Sequence, residues 1–375
     1  MLLKNGIVLN DKYKFFPSDI FVENERIAEI RPNINGSFDA IDCTDMYVIP
    51  GFIDTHIHGA YGSRFSDEKP DIDAITHFEA TKGVTSIAAT TSSASFDVLL
   101  CQFDEITAAI KRGTRGAKII GIHAEGPFLN VKKKGAMIAQ NIIPPSIEKI
   151  NLMLSHSKGY LKLITVAPEI KGQEECIRYC ISKGIKISLG HTDATYEEAE
   201  KAVLWGATQS THTFNAMRPY NHREPGVLGC VLTNPKVKCE MICDFVHIHP
   251  KTVELIYRLK GSDNINMVSD SGHAAGTNLT EFTVMGEKRF VKDGVVRLED
   301  GTIAGSTKTL LEGVQNLVSI GIPLEQVSKM ASLNPAKTLG IEGETGSISV
   351  GKYADITVLD RHLQVKYTLV NGKIV

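Results

Sequence analysis

Histidine and carboxylate side chains recur in this sequence where short apolar runs end. In chain order they are His56, His58, Glu125, His191, His212 and Asp270. Imidazole and carboxylate together are the ligands that proteins offer to Zn, Fe, Mn or Co. Burying so many ionisable groups without a use would cost several kcal/mol. The set therefore predicts a binding site for a divalent metal ion.

The spacing of the first two histidines supports one shared site. A single histidine at a strand end is more often a hydrogen-bonded core residue than a ligand. His56 and His58 are separated by one residue, and alternate residues of a strand point to the same side. Both imidazoles are therefore predicted to face the same region of the protein.

The elements that would position these residues are eight apolar strand candidates, separated in most cases by helical stretches. The strand candidates are 52–58, 84–92, 118–126, 161–169, 186–193, 208–216, 238–246 and 265–272, and the helical stretches include 96–112, 145–157, 174–183, 196–205 and 250–260. This alternation predicts an α/β protein whose parallel sheet closes into a (β/α)8 barrel, or TIM barrel. An open, doubly wound sheet is the alternative. No G-x-G-x-x-G motif follows any strand, so its nucleotide-binding form has no support. In a barrel the polar strand ends would meet at one mouth.

The two ends of the chain resemble each other and differ from the middle. Residues 1–50 and 345–375 read as short strands joined by polar turns, at Glu23-Asn24-Glu25 and at Asn371-Gly372. Neither end is long enough to form a stable sheet alone. We predict that residues 1–50 and 340–375 together form a small β-sandwich module, and that residues 51–339 form the barrel.

Composition excludes several classes of protein. The 375 residues carry 41 Lys plus Arg against 43 Asp plus Glu, a net charge of −2 that does not favour nucleic acid or an anionic membrane surface as partner. No apolar run approaches the roughly 18 residues of a membrane span. Asn5 and Gly6 interrupt the apolar start where a signal peptide would be continuous. The seven scattered cysteines are typical of buried free thiols, and we expect a cytoplasmic protein.

Five segments carry a family resemblance. PGFIDTHIHG, GIHAEGPFLN, LGHTDA, THTFNAM and VSDS, in this order, resemble the amidohydrolase superfamily and, more narrowly, its N-acetylglucosamine-6-phosphate deacetylases. The resemblance extends over essentially the whole chain. Other members of the superfamily often bridge two metals with a carboxylated lysine at the end of strand four. Here that strand candidate ends in Pro168-Glu169, and the resemblance assigns the bridging position to Glu125 on strand three.

The resemblance also implies roles for the metal-site residues. It implies Glu125, His191 and His212 as ligands of the principal metal. His56 and His58 would be the additional ligands of a second metal that shares Glu125. Relatives that lack both histidines use one metal, so we expect one or two ions per chain. Asp270 corresponds to the catalytic aspartate.

Substrate contacts follow from the same resemblance. The implied substrate-binding residues are Ala136, Asn215, Ala216, Arg223, His247, Ile303, Ala304 and Gly305, the last three in a loop. Arg223 and His247 would bind a 6-phosphate, one of them across the interface of a homodimer. Without the resemblance, Arg223 would be taken as a solvated surface group. Some relatives place a histidine after the position of Ala136, near the acetyl carbonyl. This chain has Met137 there, which leaves more of the carbonyl polarisation to a metal.

The implied reaction is metal-dependent hydrolysis of the acetamide of N-acetyl-D-glucosamine 6-phosphate to D-glucosamine 6-phosphate and acetate, in amino-sugar catabolism and cell-wall recycling. A metal-bound water would be the nucleophile, and Asp270 would act as general base and then as general acid. The alternatives are a deacetylase of N-acetylgalactosamine 6-phosphate and another amidohydrolase that acts on a small amide. A binding protein on the same scaffold would have lost Asp270 or the metal ligands, and neither is lost.

Overall fold

The structure is a computed structural model that describes residues 1–92, 94–284, 286–292 and 294–375. Its strands are β1 (Leu2–Leu9), β2 (Phe15–Glu23), β3 (Arg26–Arg31), β4 (Ala40–Asp42), β5 (Tyr47–Pro50), β6 (Phe52–Ile57), β7 (Gly59–Ala60), β8 (Ser63–Arg64), β9 (Val84–Thr91), β10 (Lys118–Glu125), β11 (Leu161–Val166), β12 (Lys186–Leu189), β13 (Gln209–Ser210), β14 (Lys238–Ile242), β15 (Ile265–Val268), β16 (Glu281–Val284), β17 (Glu287–Lys292), β18 (Val295–Arg297), β19 (Ile303–Ser306), β20 (Ile356–Leu359), β21 (Val365–Val370) and β22 (Lys373–Ile374). Its α-helices are α1 (Ile72–Thr81), α2 (Phe96–Arg112), α3 (Ile147–Ser157), α4 (Gln173–Ser182), α5 (Tyr196–Trp205), α6 (Gly226–Thr233), α7 (Pro250–Lys260), α8 (Leu310–Ser319), α9 (Leu324–Ala331) and α10 (Leu333–Leu339). Short 3-10 turns lie at Val131–Lys133, Ala139–Asn141 and Ser262–Asn264.

The eight predicted central strands form one parallel sheet in the order β6, β9, β10, β11, β12, β13, β14, β15. The two outer strands of this order meet just beyond their ends. There the Asp270 N–H donates to the His56 carbonyl, and the His58 N–H donates to the Ser271 carbonyl, both at 2.9 Å. The sheet is therefore a nearly closed barrel. The predicted TIM barrel is confirmed, and the open-sheet alternative is wrong.

The predicted helices lie between the strands, with their apolar faces against the barrel. Helices α2, α5 and α7 have the predicted bounds, while α3 begins two residues after the predicted start. The Ser146 side chain accepts a hydrogen bond from the Lys149 N–H and so caps α3 at Ile147. Among the described residues, no helix has both the length and the apolar content needed to cross a membrane.

The two chain ends share a second sheet. Its order is β22, β21, β20, β5, β1, β2, β3, with β4 paired to β1, and the antiparallel pair β5–β20 joins the N-terminal and C-terminal parts. Both predicted turns are present, with positive φ at Asn24, Glu25, Asn371 and Gly372. The sheet encloses its own cluster of buried side chains, separate from the barrel core. The joint module is thus confirmed, whereas its boundaries at 50 and 340 stay a prediction.

A four-stranded antiparallel sheet, β16 to β19, follows the last barrel strand and was not predicted. It is attached to the barrel mouth, where the Ser306 N–H donates to the Asp270 carbonyl at 3.0 Å. Strands β16 and β17 consist mostly of exposed and half-buried positions, whereas β18 begins with two buried valines. This sheet forms one wall of the cavity described below.

Candidate active site

The predicted metal-site residues lie together at the carboxyl ends of the barrel strands. Glu125 is the last residue of β10, and His56 and His58 flank the last residue of β6. His191, His212 and Asp270 each follow two residues after their strand ends, on β12, β13 and β15. All six side chains are buried. The structure therefore brings together the whole set that the sequence singled out.

Three of these residues have left-handed backbones. The φ angles are 48° at His191, 27° at His212 and 48° at Asp270. Such a conformation costs a non-glycine residue on the order of 1–3 kcal/mol and ends regular strand pairing. The predicted strand 208–216 is accordingly wrong in extent, since only Gln209–Ser210 is strand. The chain turns sharply there and directs the His212 imidazole toward Glu125.

The first ligand cluster consists of Glu125, His191 and His212. The Nε2 atoms of both histidines lie 3.0 Å from Oε1 of Glu125 and 3.2 Å from each other. Nδ1 of His191 donates to the Lys133 carbonyl at 2.7 Å, which leaves Nε2 of a neutral ring with its lone pair toward the cluster. Two imidazole nitrogens and a carboxylate oxygen that converge in this way fit a divalent metal ion.

The second cluster consists of His56, His58 and the same carboxylate. Nε2 of His58 lies 3.1 Å from Oε2 of Glu125, and Nε2 of His56 lies 3.6 Å from Oε1. Nε2 of His56 is buried and has no hydrogen-bond partner among the described residues. A buried nitrogen that lacks a hydrogen-bond partner is suited to be the ligand of a metal ion. Glu125 borders both clusters, so one or two metals can be held.

Asp270 faces both histidines of the second cluster. Its Oδ1 lies 3.3 Å from Nε2 of His58 and 3.5 Å from Nε2 of His56. Burial by itself raises the pKa of Asp270, but the neighbouring His56 and His58 outweigh burial and hold that pKa below its usual range. The carboxyl group is therefore charged at neutral pH and can accept a proton.

Burial and neighbouring charges act in opposite directions on the pKa values of the ligand residues. Burial disfavours the charged form of His56, but Asp270 and Glu125 outweigh it and raise the pKa of His56 to about 10. Burial also opposes ionisation of Glu125, yet its contacts with His191 and His212 and the charge of His56 hold the pKa of that carboxyl well below its usual range. The site thus presents carboxylate charge to a cation in a setting that excludes water.

Glu240 of β14 positions His56 from behind, and the sequence reading missed it. Its Oε2 lies 3.1 Å from Nδ1 of His56, and its Oε1 accepts from the Gln209 amide at 2.6 Å. A carboxylate behind a metal-ligating histidine fixes the tautomer and orientation of the ring. The available signal was a glutamate inside the apolar run KCEMI, which is buried at all positions but the first.

His123 and Glu169 also lie beside the clusters, and the sequence analysis gave neither of them a supporting role. Burial and the charge of His56 lower the pKa of His123, which is therefore a neutral core histidine whose Nδ1 donates to the Thr55 carbonyl at 3.0 Å. Glu169 accepts from the Asp193 N–H and the Thr192 hydroxyl, both at 2.6 Å. It lies beyond the end of β11, not within the strand as predicted, and holds the segment that follows His191.

A cavity of about 350 Å³ opens beside the clusters, within the size range of small-molecule sites. The predicted substrate residues that line it are Ala136, Asn215, Ala216, His247, Ile303, Ala304 and Gly305. Ile303–Ser306 is strand β19 and not a loop, because it pairs with β18. Met137 lies in the same wall as Ala136. His273, to which the sequence gave no role, also lines the cavity and stacks on Phe282 with ring centres 4.8 Å apart.

Two predicted phosphate contacts differ in position. His247 lies in the cavity wall with Nδ1 2.7 Å from Oδ2 of Asp244. Burial disfavours its charged form, but the bond to Asp244 outweighs burial and raises the pKa of His247. Arg223 lies in an exposed loop outside the cavity, where its N–H donates to the Asn221 side chain. Arg223 therefore does not lie beside the ligand clusters of its own chain.

Comparison with known proteins relates this geometry to a family. The sequence model of the Amidohydrolase family matches residues 47–375. The N-acetylglucosamine-6-phosphate deacetylase of Vibrio furnissii is 36% identical over 339 residues, covering 90% of this chain and 85% of that protein. The enzyme of the same name from Lysinibacillus sphaericus is 34% identical over 378 residues, covering 100% of this chain and 97% of that protein.

A solved structure agrees with these relatives. A mutant N-acetyl-D-glucosamine-6-phosphate deacetylase from Mycobacterium smegmatis, in complex with N-acetyl-D-glucosamine-6-phosphate, is similar with a TM-score of 0.94 and 30% identity. The alignment covers 100% of this chain and 98% of that one. Because the family model matches most of the chain and the histidine and carboxylate clusters lie at the mouth of its barrel, the chain belongs to the amidohydrolase family.

Proposed function

We propose that the protein hydrolyses the acetamide of N-acetyl-D-glucosamine 6-phosphate to D-glucosamine 6-phosphate and acetate. The observation that carries the proposal is the position of Asp270. Its charged Oδ1 lies 3.3 Å from Nε2 of His58 in the second ligand cluster, at the edge of a cavity of substrate size. Relatives of more than 30% identity over most of the chain carry the name of this activity. The N-acetylgalactosamine 6-phosphate alternative is not favoured, since both relatives are named for the gluco epimer.

The metal would be held by the two clusters. Glu125, His191 and His212 supply the principal set, and His56 and His58 extend it on the other side of the Glu125 carboxylate. A bound divalent ion supplies a Lewis acid and lowers the pKa of water. The nitrogen and oxygen donors suit Zn, Fe, Mn or Co.

Asp270 would perform the proton transfers. Its carboxylate accepts a proton from the attacking water, and the same oxygen then returns that proton to the departing amine nitrogen. The nitrogen of an amide is a poor leaving group until it is protonated, so this second transfer is necessary. Each general acid–base role is worth about 10²- to 10⁴-fold in rate. The charged form of Asp270 at neutral pH suits the first step.

The remaining cavity residues would bind and orient the sugar phosphate. Asn215 and Ala216 follow His212 by three and four residues and line the same cavity, so a sugar held there places its acetamide close to the clusters. His247 is a donor for the phosphate. Arg223 would reach that phosphate from a second copy of the chain, because it lies outside the cavity of its own chain. Binding energy from the phosphate would orient the amide for attack.

A homodimer and a cytoplasmic location belong to the same proposal. The dimer is supported by the position of Arg223, and the location by seven free cysteines, six of them buried. The reaction would serve amino-sugar catabolism and cell-wall recycling.

The test is metal analysis combined with acetate release. The purified protein should contain one or two divalent ions per chain and release acetate from N-acetylglucosamine 6-phosphate faster than from the galacto epimer. A faster reaction on the galacto epimer would reverse the substrate assignment, and no acetate from either epimer would remove the deacetylase activity.

A further inference from the structure

Arg64 lies in a short hairpin that folds back beside the second ligand cluster. After His58 the chain forms strands β7 and β8, and Arg64 pairs with Gly59. A Cβ atom at Gly59 would lie 2.7 Å from the Cα atom of Arg64, so this close approach requires glycine. The Phe65 N–H donates to the His58 carbonyl at 2.9 Å and fixes the end of the hairpin. The main chain therefore places Arg64 next to a metal-ligand residue.

The guanidinium group of Arg64 is connected to His58 through one hydroxyl. Its Nη2 donates to Oγ of Ser92 at 2.8 Å, and Nδ1 of His58 lies 3.3 Å from the same oxygen. When Nε2 of His58 binds a metal, the proton of the neutral ring lies on Nδ1. That proton faces both Ser92 and the Thr90 carbonyl, which is also 3.3 Å away. A positive charge thus lies two hydrogen bonds from the ligand ring.

The charge of Arg64 acts on the carboxylates of the site. Only 5% of the residue is exposed. Burial lowers the pKa of Arg64, while the charges of Asp67, Glu125 and Asp270 act in the opposite direction. A guanidinium has so high a pKa that it stays charged in a folded protein. Because such interactions are mutual, Arg64 also favours the charged forms of Glu125 and Asp270.

A buried positive charge in this position opposes a second cation. Screening by salt and water is weak for buried charges, so the guanidinium repels a nearby divalent ion. The repulsion is stronger for an ion of the second cluster, whose His58 is connected to Arg64, than for one of the first cluster across Glu125. Loss of Arg64 would leave His58 oriented, since the Thr90 carbonyl holds Nδ1 independently. The effect of the charge therefore outweighs the effect on ring orientation.

We propose that Arg64 makes the two clusters unequal, so that the chain binds one divalent ion tightly in the first cluster and a second ion weakly in the second. The guanidinium supplies part of the positive charge that a second ion would bring to Glu125 and Asp270. Arg64 acts through charge and does not bind the metal. The inference rests on the metal clusters of the proposed function and not on its substrate.

Zinc binding to the metal-free protein provides the test. Dialysis against a series of free Zn²⁺ concentrations, with bound zinc counted by mass spectrometry, gives the two dissociation constants. In the unaltered protein the second ion should bind at least about 10-fold more weakly than the first, and Arg64→Gln should tighten the second ion about 10-fold or more, as expected when a poorly screened charge is removed. Arg64→Lys keeps the charge and should leave the ratio of the constants nearly unchanged. Lys69→Gln, at an exposed cation of the same segment, is the matched control.

Spectroscopy shows whether the second ion joins the first. Two Mn²⁺ ions bridged by the carboxylate of Glu125 give an exchange-coupled EPR spectrum, whereas an isolated ion does not. Arg64→Gln should show the coupled spectrum at a lower Mn²⁺ concentration than the unaltered protein. A change in fold alone would not produce this signal. If the coupled spectrum appears at the same concentration in both proteins, the proposal is overturned.

Two further variants separate charge from position. Ser92→Ala removes the connecting hydroxyl and keeps the charge, so the ratio should stay. Arg289 of β17 lines the same cavity but donates to the Ala304 carbonyl at 3.1 Å, and Arg289→Gln should change the ratio less than Arg64→Gln does. A shift as large as that of Arg64→Gln in either variant would overturn the proposal.

The binding constants of the unaltered protein and of Arg64→Gln decide the question. Equal affinity for both ions in the unaltered protein, or an unchanged ratio in Arg64→Gln, would overturn the proposal. Thermal melting checks that each variant is folded, and Arg64→Met, which keeps an apolar stem, replaces Arg64→Gln if that variant is unfolded. No substrate is present in these measurements. Failure to release acetate would therefore remove the proposed function and leave this result standing.

Discussion

The Nε2 atoms of His191 and His212 lie 3.2 Å apart, and both face the same carboxylate oxygen of Glu125 at 3.0 Å. Nδ1 of His191 already donates to a carbonyl, so its Nε2 carries a lone pair when the ring is neutral. Lone pairs that face each other and a carboxylate repel, and a cation among them removes the repulsion. From this arrangement we expect the proposed activity, and part of the folding stability, to depend on a bound metal ion.

Chelation should reduce deacetylase activity in proportion to the metal removed. It should also lower the melting temperature, because an ion that binds only the folded state at about 100 times its Kd contributes roughly 2.7 kcal/mol of stability. Metal content by mass spectrometry, acetate release and thermal melting are measured on the same samples. Full activity below about one metal per ten chains would contradict the mechanism.

Asp270→Asn should remove most of the turnover and leave metal content and KM nearly unchanged. An amide has the shape of the carboxylate but cannot accept the proton of the attacking water. We expect kcat to fall about 10²-fold or more. Steady-state kinetics and metal analysis provide the measurement, and a kcat near that of the unaltered protein would exclude Asp270 from the reaction.

Glu240→Gln should loosen the ion held by His56 and His58 before the ion held by His191 and His212. The variant keeps the side-chain volume but loses the charge that orients His56. Such supporting partners are worth about 10- to 100-fold in metal affinity. The affinity is measured by competition with a chromogenic chelator. Glu174→Gln, at an exposed ion pair on α4, is the control that should not change it. Equal loss of both ions would show that Glu240 supports the fold and not one cluster.

Arg223→Ala should lower kcat/KM for N-acetylglucosamine 6-phosphate by about 10- to 150-fold, equivalent to a charge-assisted bond of roughly 1.5 to 3 kcal/mol, and leave N-acetylglucosamine little changed. Arg223→Lys should recover only part of the loss, because an ammonium lacks the two-pronged geometry. Equal losses on both sugars would mean that Arg223 stabilises the fold or the dimer.

Mixed dimers test whether Arg223 acts across an interface. Arg223→Ala subunits lack the arginine, and Asp270→Asn subunits lack the general base. When the two are combined, an intact Asp270 site receives Arg223 from its neighbour, so activity should exceed that of either variant alone. Absence of recovery, with mixed dimers demonstrated by mass spectrometry, would place the action of Arg223 elsewhere.

The barrel could be predicted because its strands are buried on both faces. Strand β9, for example, is buried at every position, and its sequence VTSIAATT contains no charged residue between the polar segments that flank it. Once the strands are placed, the barrel geometry brings their carboxyl ends together, and the ligand set follows. The prediction did not extend to how the strands end, since the left-handed turn at His212 depends on tertiary contacts and not on β propensity.

The rest of the site could not be predicted for a different reason. Arg64 and Arg289 line one cavity because the four-stranded sheet is attached at the barrel mouth. The pattern of that sheet is weak, since β17 (EKRFVK) has no fully buried residue. Its alternation of charged and half-buried positions resembles a polar loop. Glu240 differs, because a carboxylate within an apolar strand is itself an indication of a buried partner.

The pairing of β5 with β20 makes folding of the terminal sheet depend on the course of synthesis. Tyr47 lies opposite Leu359, so the first strands leave the ribosome long before their partner exists. At roughly 5–20 residues per second, the delay is about 15–60 s. During that time the hydrogen-bonding edge of β5 is open to strands of other nascent chains. Completion of the terminal sheet therefore has to wait until the last residues of the chain have been made, independently of the chemistry at the barrel mouth.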